Sequence, residues 1–298
     1  MNTEAHLESD TLSVLFRGLN DRVQWIQSDH WVNTPATRAA IQWMEYLLRS
    51  ARRSRPSCLQ VVAEPGMGKT ALLEAFGKLH PVAPTTDPLR LSRPLLLANV
   101  TLGDAGVAGL RHALMRAAWP EARAIENHCT KDECDATLKC QGVKMLLLDE
   151  AGELLKCGPS AHLRVLSELK RLSSEHQINI ACATVEGLDH ALHADIQLRS
   201  RFKKTLAIRP WTESQDFRNF VFGLEQYLPF PERSYLDRPE VIHWLLRHGK
   251  GNTENVVELI RLAALFALGR DAPFVGMADF ELARTAELPP PIALGAAA

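Results

Sequence analysis

The sequence contains no apolar run of the ~20 residues that a membrane-spanning helix requires, and neither sign of charge is in clear excess. Lysine and arginine total 34 against 35 aspartates and glutamates, so the net charge of −1 does not mark the whole chain as a polyanion binder. The first eight residues are acidic and polar, unlike a signal peptide. These absences predict a cytoplasmic protein that does not use a membrane.

Aromatic residues make up only 6% of the chain, whereas hydrophobic residues reach 46% of its 298 residues. That content is enough for one large domain, or for one domain with a smaller companion. Three of the six cysteines, Cys129, Cys134 and Cys140, lie close to His128, but they lack the short Cys-x-x-Cys spacing typical of structural zinc sites. We therefore expect reduced thiols rather than a metal centre.

The most informative motif is an apolar segment that enters a glycine-rich turn, Val61-Val62-Ala63-Glu64-Pro65-Gly66-Met67-Gly68-Lys69-Thr70. Gly66 and Gly68 lack side chains that would keep phosphates from the backbone N–H groups. Lys69 can reach the β- and γ-phosphates, and the Thr70 hydroxyl can ligate Mg²⁺. Ala63 stands where the pattern has glycine, and alanine is the smallest replacement. The predicted nucleotide-binding residues of this turn are Glu64, Pro65, Gly66, Met67, Gly68, Lys69, Thr70 and Ala71.

A second motif, Met145-Leu146-Leu147-Leu148-Asp149-Glu150, is typical of a parallel strand covered on both faces and ends in two carboxylates. Asp149 is predicted to bind nucleotide and, with Thr70, to hold Mg²⁺. Glu150 is predicted to be catalytic, since it can orient and polarise the water that attacks the γ-phosphate. Alone, an Asp-Glu pair after a strand is equally compatible with a solvated turn; the glycine-rich turn upstream favours the functional interpretation.

The alternation of strand and helix patterns predicts an α/β fold with a parallel sheet flanked by helices, followed by a small α-helical lid. Four parts are predicted: an N-terminal arm and helix packing beside the nucleotide site (1–57), the nucleotide-binding core (58–210), the lid (211–288) and a mobile tail (289–298). Strands are predicted at 59–63, 95–101, 145–149, 178–184 and 205–208. Helices are predicted at 69–79, 106–118, around 122–141, and at 162–175, 188–194, 239–247, 254–268 and 277–286. A capping box is predicted at 212–215.

This order of motifs, continued by Arg199-Ser200-Arg201-Phe202, resembles the AAA+ ATPases. The resemblance implies that Thr184 is the polar sensor residue and belongs, with Glu150, to the catalytic residues. It also implies that Arg201 is an arginine finger, which neutralises charge on the γ-phosphate in a neighbouring subunit, so that activity requires assembly. Many relatives carry a sensor arginine where this chain has Glu254, so we assign no second sensor.

More specifically, residues 16–275 resemble the TniB/TnsC family of transposition ATPases. The segments that carry this resemblance are 21–32, Arg55-Pro56-Ser57-Cys58-Leu59, Leu148-Asp149-Glu150-Ala151 and 195–202. The resemblance implies an ATPase, with ATP and Mg²⁺ as cofactors, that forms a homo-oligomeric ring or filament on double-stranded DNA regardless of sequence. It further implies recruitment of a DDE transposase, a link to a TniQ-like target selector, and disassembly driven by hydrolysis.

Family members contact the DNA backbone through one segment after the second strand and another before the Asp-Glu strand. The first, residues 101–106, has no lysine or arginine here; in the second, Thr130 and Lys131 are the DNA-binding candidates. Two alternatives remain open. One is an initiator or clamp-loader-like replication ATPase, which would normally carry a winged-helix domain that we do not expect after Leu288. The other is a DNA-free nucleotide switch or signalling scaffold.

Overall fold

The computed structural model describes residues 6–82, 92–121, 129–185, 191–192 and 195–290. The chain divides into two compact units, which we call the sheet unit (Ala36–Arg209) and the helical unit (Met1–Pro35 with Pro210–Ala298). Within the described ranges, none of the helices is both long and apolar enough to cross a bilayer.

The regular elements alternate through the first two thirds of the chain and are helical thereafter. The strands are β1 Leu59–Ala63, β2 Leu95–Asn99, β3 Met145–Asp149, β4 Asn179–Thr184 and β5 Lys204–Ile208. The helices are α1 Ser9–Leu15, α2 Leu19–Gln27, α3 Pro35–Arg49, α4 Lys69–Leu79, α5 Gly106–Ala118, α6 Lys131–Cys140, α7 Pro159–Glu175, α8 Ile196–Arg199, α9 Gln215–Glu225, α10 Pro239–Gly249, α11 Thr253–Gly269 and α12 Met277–Thr285.

All five strands of the sheet unit run parallel, in the order β2-β3-β4-β1-β5. Every residue of β3 and β4 is buried, as expected for central strands with helices on both faces. Leu146 and Leu148 pack with residues of α5, α6 and α7, and alternation along the strand turns Leu147 to the opposite face. The predicted α/β class and parallel sheet are confirmed.

A network of charged side chains joins three helices of the sheet unit. Arg171 of α7 donates from Nε to Glu168 Oε2 and from Nη1 to Asp135 Oδ2 of α6, both at 2.9 Å, and Arg111 of α5 donates to Glu168 Oε1 at 3.0 Å. Desolvation acts to raise the pKa of Glu168, but the hydrogen bonds from Arg171 and Arg111 outweigh it and the pKa is lowered. The carboxylate therefore stays ionised, and the network fixes α6 and α7 against α5.

The helical unit has its own hydrophobic core, formed by α9 to α12 together with residues of the N-terminal helices. Ile26 of α2 is 1% exposed within this core. Trp25 Nε1 donates to the Tyr227 backbone oxygen at 3.0 Å, which ties the same helix to the chain after α9. Residues 6–35 thus pack with the helices that follow Pro210, although the division into four parts remains a prediction.

Several predicted boundaries shift in the structure. Strand β2 ends at Asn99, and a 3₁₀ turn, Leu102–Asp104, begins three residues later with Thr101 as its cap. The capping box predicted at 212–215 is wrong: α9 begins at Gln215, and the Ser214 hydroxyl accepts from Phe217 N. All but residues 191–192 of the helix predicted at 188–194 lie outside the described residues, as do the start of the helix predicted around 122–141 and residues 291–298 of the tail. Residues 191–192 are helical.

Two helical glycines should respond oppositely to the same substitution. A Cβ at Gly109 of α5 would overlap the backbone carbonyl of Asp104, whereas one at Gly77 of α4 would meet only Leu97 Cδ2, at 4.0 Å. We expect Gly109→Ala to lower the free energy of unfolding by about 2 kcal/mol and Gly77→Ala to raise it by about 0.5–1 kcal/mol. Urea unfolding followed by circular dichroism measures both. A Gly109→Ala protein as stable as the parent would contradict the close approach.

Candidate nucleotide-binding site

The turn between β1 and α4 has a backbone that glycine makes possible. Gly66 and Gly68 have φ angles of 73° and 82°, in the left-handed region where a Cβ is unfavourable. A Cβ at Gly68 would meet no atom within 4 Å, so its conformation, and not crowding, calls for glycine there. The turn leads directly into α4, whose first N–H groups lack partners within the helix and favour an anion.

The remaining residues of the turn divide into a buried anchor and exposed positions. Met67 is buried and holds the turn against the sheet unit, whereas Glu64, Pro65 and Ala71 are exposed. A ligand can therefore approach the exposed side without displacing the core.

Lys69 places a cation at this turn. It is 4% exposed, and its ammonium donates to the backbone oxygens of Ala63 at 3.1 Å and Glu64 at 3.0 Å. A buried ammonium requires such acceptors. Since Nζ has three donors and these bonds use two, the group can turn toward a phosphate by exchanging one carbonyl.

Two oxygen ligands suited to Mg²⁺ meet beside the turn. The Thr70 hydroxyl donates to Asp149 Oδ2 at 2.6 Å, and Asp149 Oδ1 accepts from the Glu150 N–H at 3.0 Å. Asp149 is only 3% exposed at the end of β3. A hydroxyl and a carboxylate in contact are the hard oxygen donors that Mg²⁺ prefers, so this pair fits the predicted ion.

Glu150 adopts an unusual backbone conformation immediately after β3. Its φ of 47° and ψ of 38° lie in the left-handed region, which costs a residue with a Cβ of order 1 kcal/mol. Two backbone hydrogen bonds of Glu150 stabilise this strained conformation. Its N–H donates to Asp149 Oδ1, and its carbonyl accepts from Glu153 N at 2.9 Å. The carboxylate is thereby carried on a fixed turn at the carboxyl edge of the sheet.

Thr184 lies next to this turn. It ends β4, is completely buried, and donates from its hydroxyl to the Val185 backbone oxygen at 2.9 Å. A Cβ built on Gly152 would lie 3.3 Å from Thr184 Oγ1, so the hydroxyl directly faces the turn that follows Glu150. The structure thus brings Thr184, Asp149 and Thr70 to one edge of the sheet.

Sequence reasoning overlooked Asn99 and Gly152 at this edge. Asn99 ends β2 in register with Asp149, and Val100 N donates to the Asp149 backbone oxygen at 3.1 Å. A polar residue at the carboxyl end of the strand beside the Asp-Glu strand was the available signal for Asn99. For Gly152 no signal existed, because the need for a small residue arises from its approach to Thr184.

Arg201 lies elsewhere, in the segment between α8 and β5. Its Nη1 donates to the Lys170 backbone oxygen of α7 at 3.1 Å, and its own carbonyl accepts from Cys58 N at 2.9 Å. Arg199 is exposed in the last turn of α8. The structure places neither arginine among the turn residues around Thr70, and the role assigned to Arg201 remains a prediction.

The two DNA-binding candidates begin α6. Thr130 is its N-cap: its hydroxyl accepts from Glu133 N at 3.3 Å and its backbone N–H donates to Glu133 Oε2 at 2.8 Å. Lys131 is exposed, but Asp132 and Glu133 place two carboxylates in the same turn. These carboxylates oppose an approaching phosphate, so the DNA assignment of Thr130 and Lys131 stays a prediction without added support.

The Cys134 thiol of α6 is buried. Burial raises the pKa of Cys134 to about 12, so this thiol is protonated at neutral pH. No group of three or more His, Cys, Asp and Glu residues suited to a metal occurs in the ranges that the structure describes.

Taken together, the parallel sheet of order β2-β3-β4-β1-β5 and the glycine turn after β1 define a P-loop NTPase fold of the AAA+ class. Among solved structures, it is similar to Cdc6p from Pyrobaculum aerophilum, at 17% identity over 85% of this chain and 68% of that chain, with a TM-score of 0.57. It is also similar to ORC2 from Aeropyrum pernix in ADPNP-ADP complexes, at 15% identity over 92% and 74%, with a TM-score of 0.61. A third similar structure is ORC1 from Aeropyrum pernix in complex with DNA, at 17% identity over 88% of this chain and 68% of that chain, with a TM-score of 0.55.

The family model for the bacterial TniB protein matches residues 22–213, and the chain belongs to the TniB family. The predicted family resemblance is confirmed over that range. No curated protein matches the chain.

Removal of the Thr70 hydroxyl should separate nucleotide binding from its Mg²⁺ dependence. We expect Thr70→Val to lose about tenfold in affinity for a fluorescent ATP analogue in Mg²⁺ but little in EDTA, because only the ion contact is removed. Thr70→Ser keeps the hydroxyl and should bind as the parent does. Fluorescence titrations in both buffers measure this. Equal losses with and without Mg²⁺ would argue against a metal role for Thr70.

Proposed function

We propose that this chain is an ATP-dependent, DNA-binding regulator of transposition. It assembles as a homo-oligomeric ring or filament on double-stranded target DNA, recruits a DDE transposase and links it to a TniQ-like target selector, and ATP hydrolysis dissolves the assembly. The observation that carries this proposal is TniB family membership over residues 22–213. The contact between Thr70 and Asp149 supports the nucleotide part, since it pairs the oxygen ligands that nucleotide-bound Mg²⁺ requires.

In this proposal the N–H groups of the glycine turn and the Lys69 ammonium bind the β- and γ-phosphates. Bound Mg²⁺ would neutralise negative charge on the phosphate oxygens. Glu150 orients the attacking water, and the buried Thr184 hydroxyl helps to position the reacting groups beside it. Nearly all of the catalytic contribution is therefore positioning and charge stabilisation by groups at one edge of the sheet.

Arg201 supplies the dependence on assembly. In the single chain its guanidinium is bonded to the Lys170 carbonyl, and it has five N–H donors, so it can also engage a phosphate of a neighbouring subunit. A cation delivered in this way contributes on the order of a thousandfold or more in related phosphoryl transfers. Turnover would then rise with the fraction of protein that is assembled.

A DNA-free nucleotide switch is the second candidate, and two observations favour it. Residues 101–106 contain no lysine or arginine, and Asp104 in that segment is ion-paired with Arg116, which donates to it at 3.0 Å. The carboxylates of Asp132 and Glu133 accompany the other predicted DNA segment. In the first proposal, DNA must therefore be held largely by backbone N–H groups, hydroxyls and isolated cations such as Lys131.

Glu150→Gln should stop ATP turnover while leaving ATP binding and DNA-bound assemblies intact. Glutamine has the same size but cannot act as a base, so we expect kcat to fall at least ~100-fold with the affinity for ATP nearly unchanged. Glu153→Gln, three residues further along the same turn, is the matched control and should hydrolyse ATP as the parent does. Phosphate release and fluorescent-ATP binding are the measurements. Lost nucleotide affinity in Glu150→Gln would contradict the role given to Glu150.

The decisive experiment is electron microscopy with a non-hydrolysable ATP analogue, with and without random duplex DNA. We expect rings or filaments only when both are present. DNA affinity should be equal for two unrelated sequences and fall several-fold between 50 and 200 mM salt, because phosphate contacts release counterions. Dispersed particles that bind ATP but ignore DNA would overturn the DNA-binding proposal and favour the DNA-free switch.

A further inference from the structure

The helical unit carries an open groove that the nucleotide site does not use. It lies between the outer side of α9 and the connection to α10, and its volume is about 440 Å³. That volume falls within the range of ligand sites. The groove is lined by Gln215, Arg218, Asn219, Phe222, Arg233 and Asp237.

The wall opposite α9 is held in place by a buried carboxylate. Glu225, 2% exposed, accepts from Tyr235 N at 2.8 Å and from Leu236 N at 3.0 Å. Tyr235 adopts a left-handed φ of 55°, which this pair of hydrogen bonds stabilises. The groove is therefore formed by a fixed loop rather than by a chance gap between mobile segments.

Aromatic rings orient the arginine of that loop. The Arg233 guanidinium lies 4.9 Å from the ring centre of Phe222 and 4.7 Å from that of Tyr235, and its Nη2 donates to Asp237 Oδ1 at 2.9 Å. Stacking fixes the plane of the guanidinium and leaves its edge for hydrogen bonds. Arg238 lies 4.4 Å from the Tyr235 ring centre and is exposed, adding a further cation near the groove.

The second lining arginine is held by a partner that a ligand can replace. Arg218 donates to Glu213 Oε1 at 3.0 Å and, more weakly, to the Asp237 backbone oxygen at 3.4 Å. The Glu213 side chain is half exposed, and such surface ion pairs contribute only ~0–1 kcal/mol. A carboxylate entering the groove could therefore take the place of Glu213 at little cost.

The side chains that line the groove include two arginines, two amides and one carboxylate, and Gln215 Nε2 is already bonded to Asn219 Oδ1 at 2.9 Å. Two carboxylates outside the lining also pair with these arginines, Glu213 with Arg218 at 3.0 Å and Glu225 with Arg233 at 3.6 Å. Gln215, Asn219 and Phe222 lie along one face of α9, so the groove is elongated in the direction of the helix axis. An extended peptide has a matching shape. A rod-like DNA duplex would not enter a concavity between a helix and a loop.

We propose that this groove binds an acidic, extended segment of a partner protein, whose carboxylates pair with Arg218 and Arg233 while its backbone bonds to the amides of α9. Guanidinium groups recognise carboxylates through two parallel hydrogen bonds, which gives direction as well as affinity. This inference is independent of the nucleotide site and of the proposed DNA binding.

The test uses the full chain and fluorescence anisotropy with labelled ten-residue probes: oligoglutamate, oligoglutamine and a thymidine oligonucleotide. We expect oligoglutamate to bind most tightly and its affinity to fall with added salt. Arg218→Ala should weaken it about tenfold. Arg247→Ala, an exposed arginine of α10 outside the groove, is the matched control and should change nothing.

Asn219 allows a test that leaves the arginines in place. Asn219→Asp keeps the acceptor used by Gln215 but adds a negative charge, so we expect oligoglutamate affinity to fall about fivefold, whereas Asn219→Lys should raise it by a similar factor. Equal affinity of the two variants, or equal binding of oligoglutamate and oligoglutamine, would overturn the proposal. So would tighter binding of the oligonucleotide that is lost in Arg218→Ala, since the groove would then be a nucleic-acid site.

Discussion

The hydrogen bond between the Thr70 hydroxyl and the Asp149 carboxylate is the contact on which the candidate site depends. It joins the first turn of α4 to the end of β3, and hence the phosphate-binding turn to the strand that carries Glu150. Because all five strands run parallel, the segments that follow them meet at one edge, where Thr184 also lies. Residues distant in sequence are therefore brought together by strand direction and register.

The same edge is already organised for an anion. The Lys69 ammonium is buried and bonded to two carbonyls, so much of the cost of desolvating and orienting it is met during folding. Glu150 likewise holds a strained backbone conformation through hydrogen bonds at both ends. Such strain persists only where the surroundings determine it, which links the rigidity of β3 to the position of the carboxylate.

Local sequence patterns were sufficient for β1 and β3, because both are short apolar runs bounded by residues that end strands, and their predicted limits match the structure. They were insufficient where distant contacts decide the outcome. Burial of Ile26 with α9 to α12 depends on packing between segments nearly 200 residues apart, for which periodicity holds no information. Thr212 and Ser214 are both cap-forming residues, so the sequence pattern did not distinguish between them. In the structure Ser214 is the N-cap of α9.

The helical unit is discontinuous in sequence, whereas the sheet unit is a single segment, Ala36–Arg209. During synthesis the sheet unit can be completed first. Helices α1 and α2 cannot pack into their core until the helices after Pro210 have been made. At a synthesis rate of ~5–20 residues per second, the interval between the synthesis of α2 and that of the helices after Pro210 is on the order of ten seconds or more. During that interval Ile26, 1% exposed in the folded protein, lacks its core, so α2 exposes an apolar residue to chaperones and proteases. The topology therefore favours an order of folding in which α1 and α2 are made before the sheet unit but buried after it.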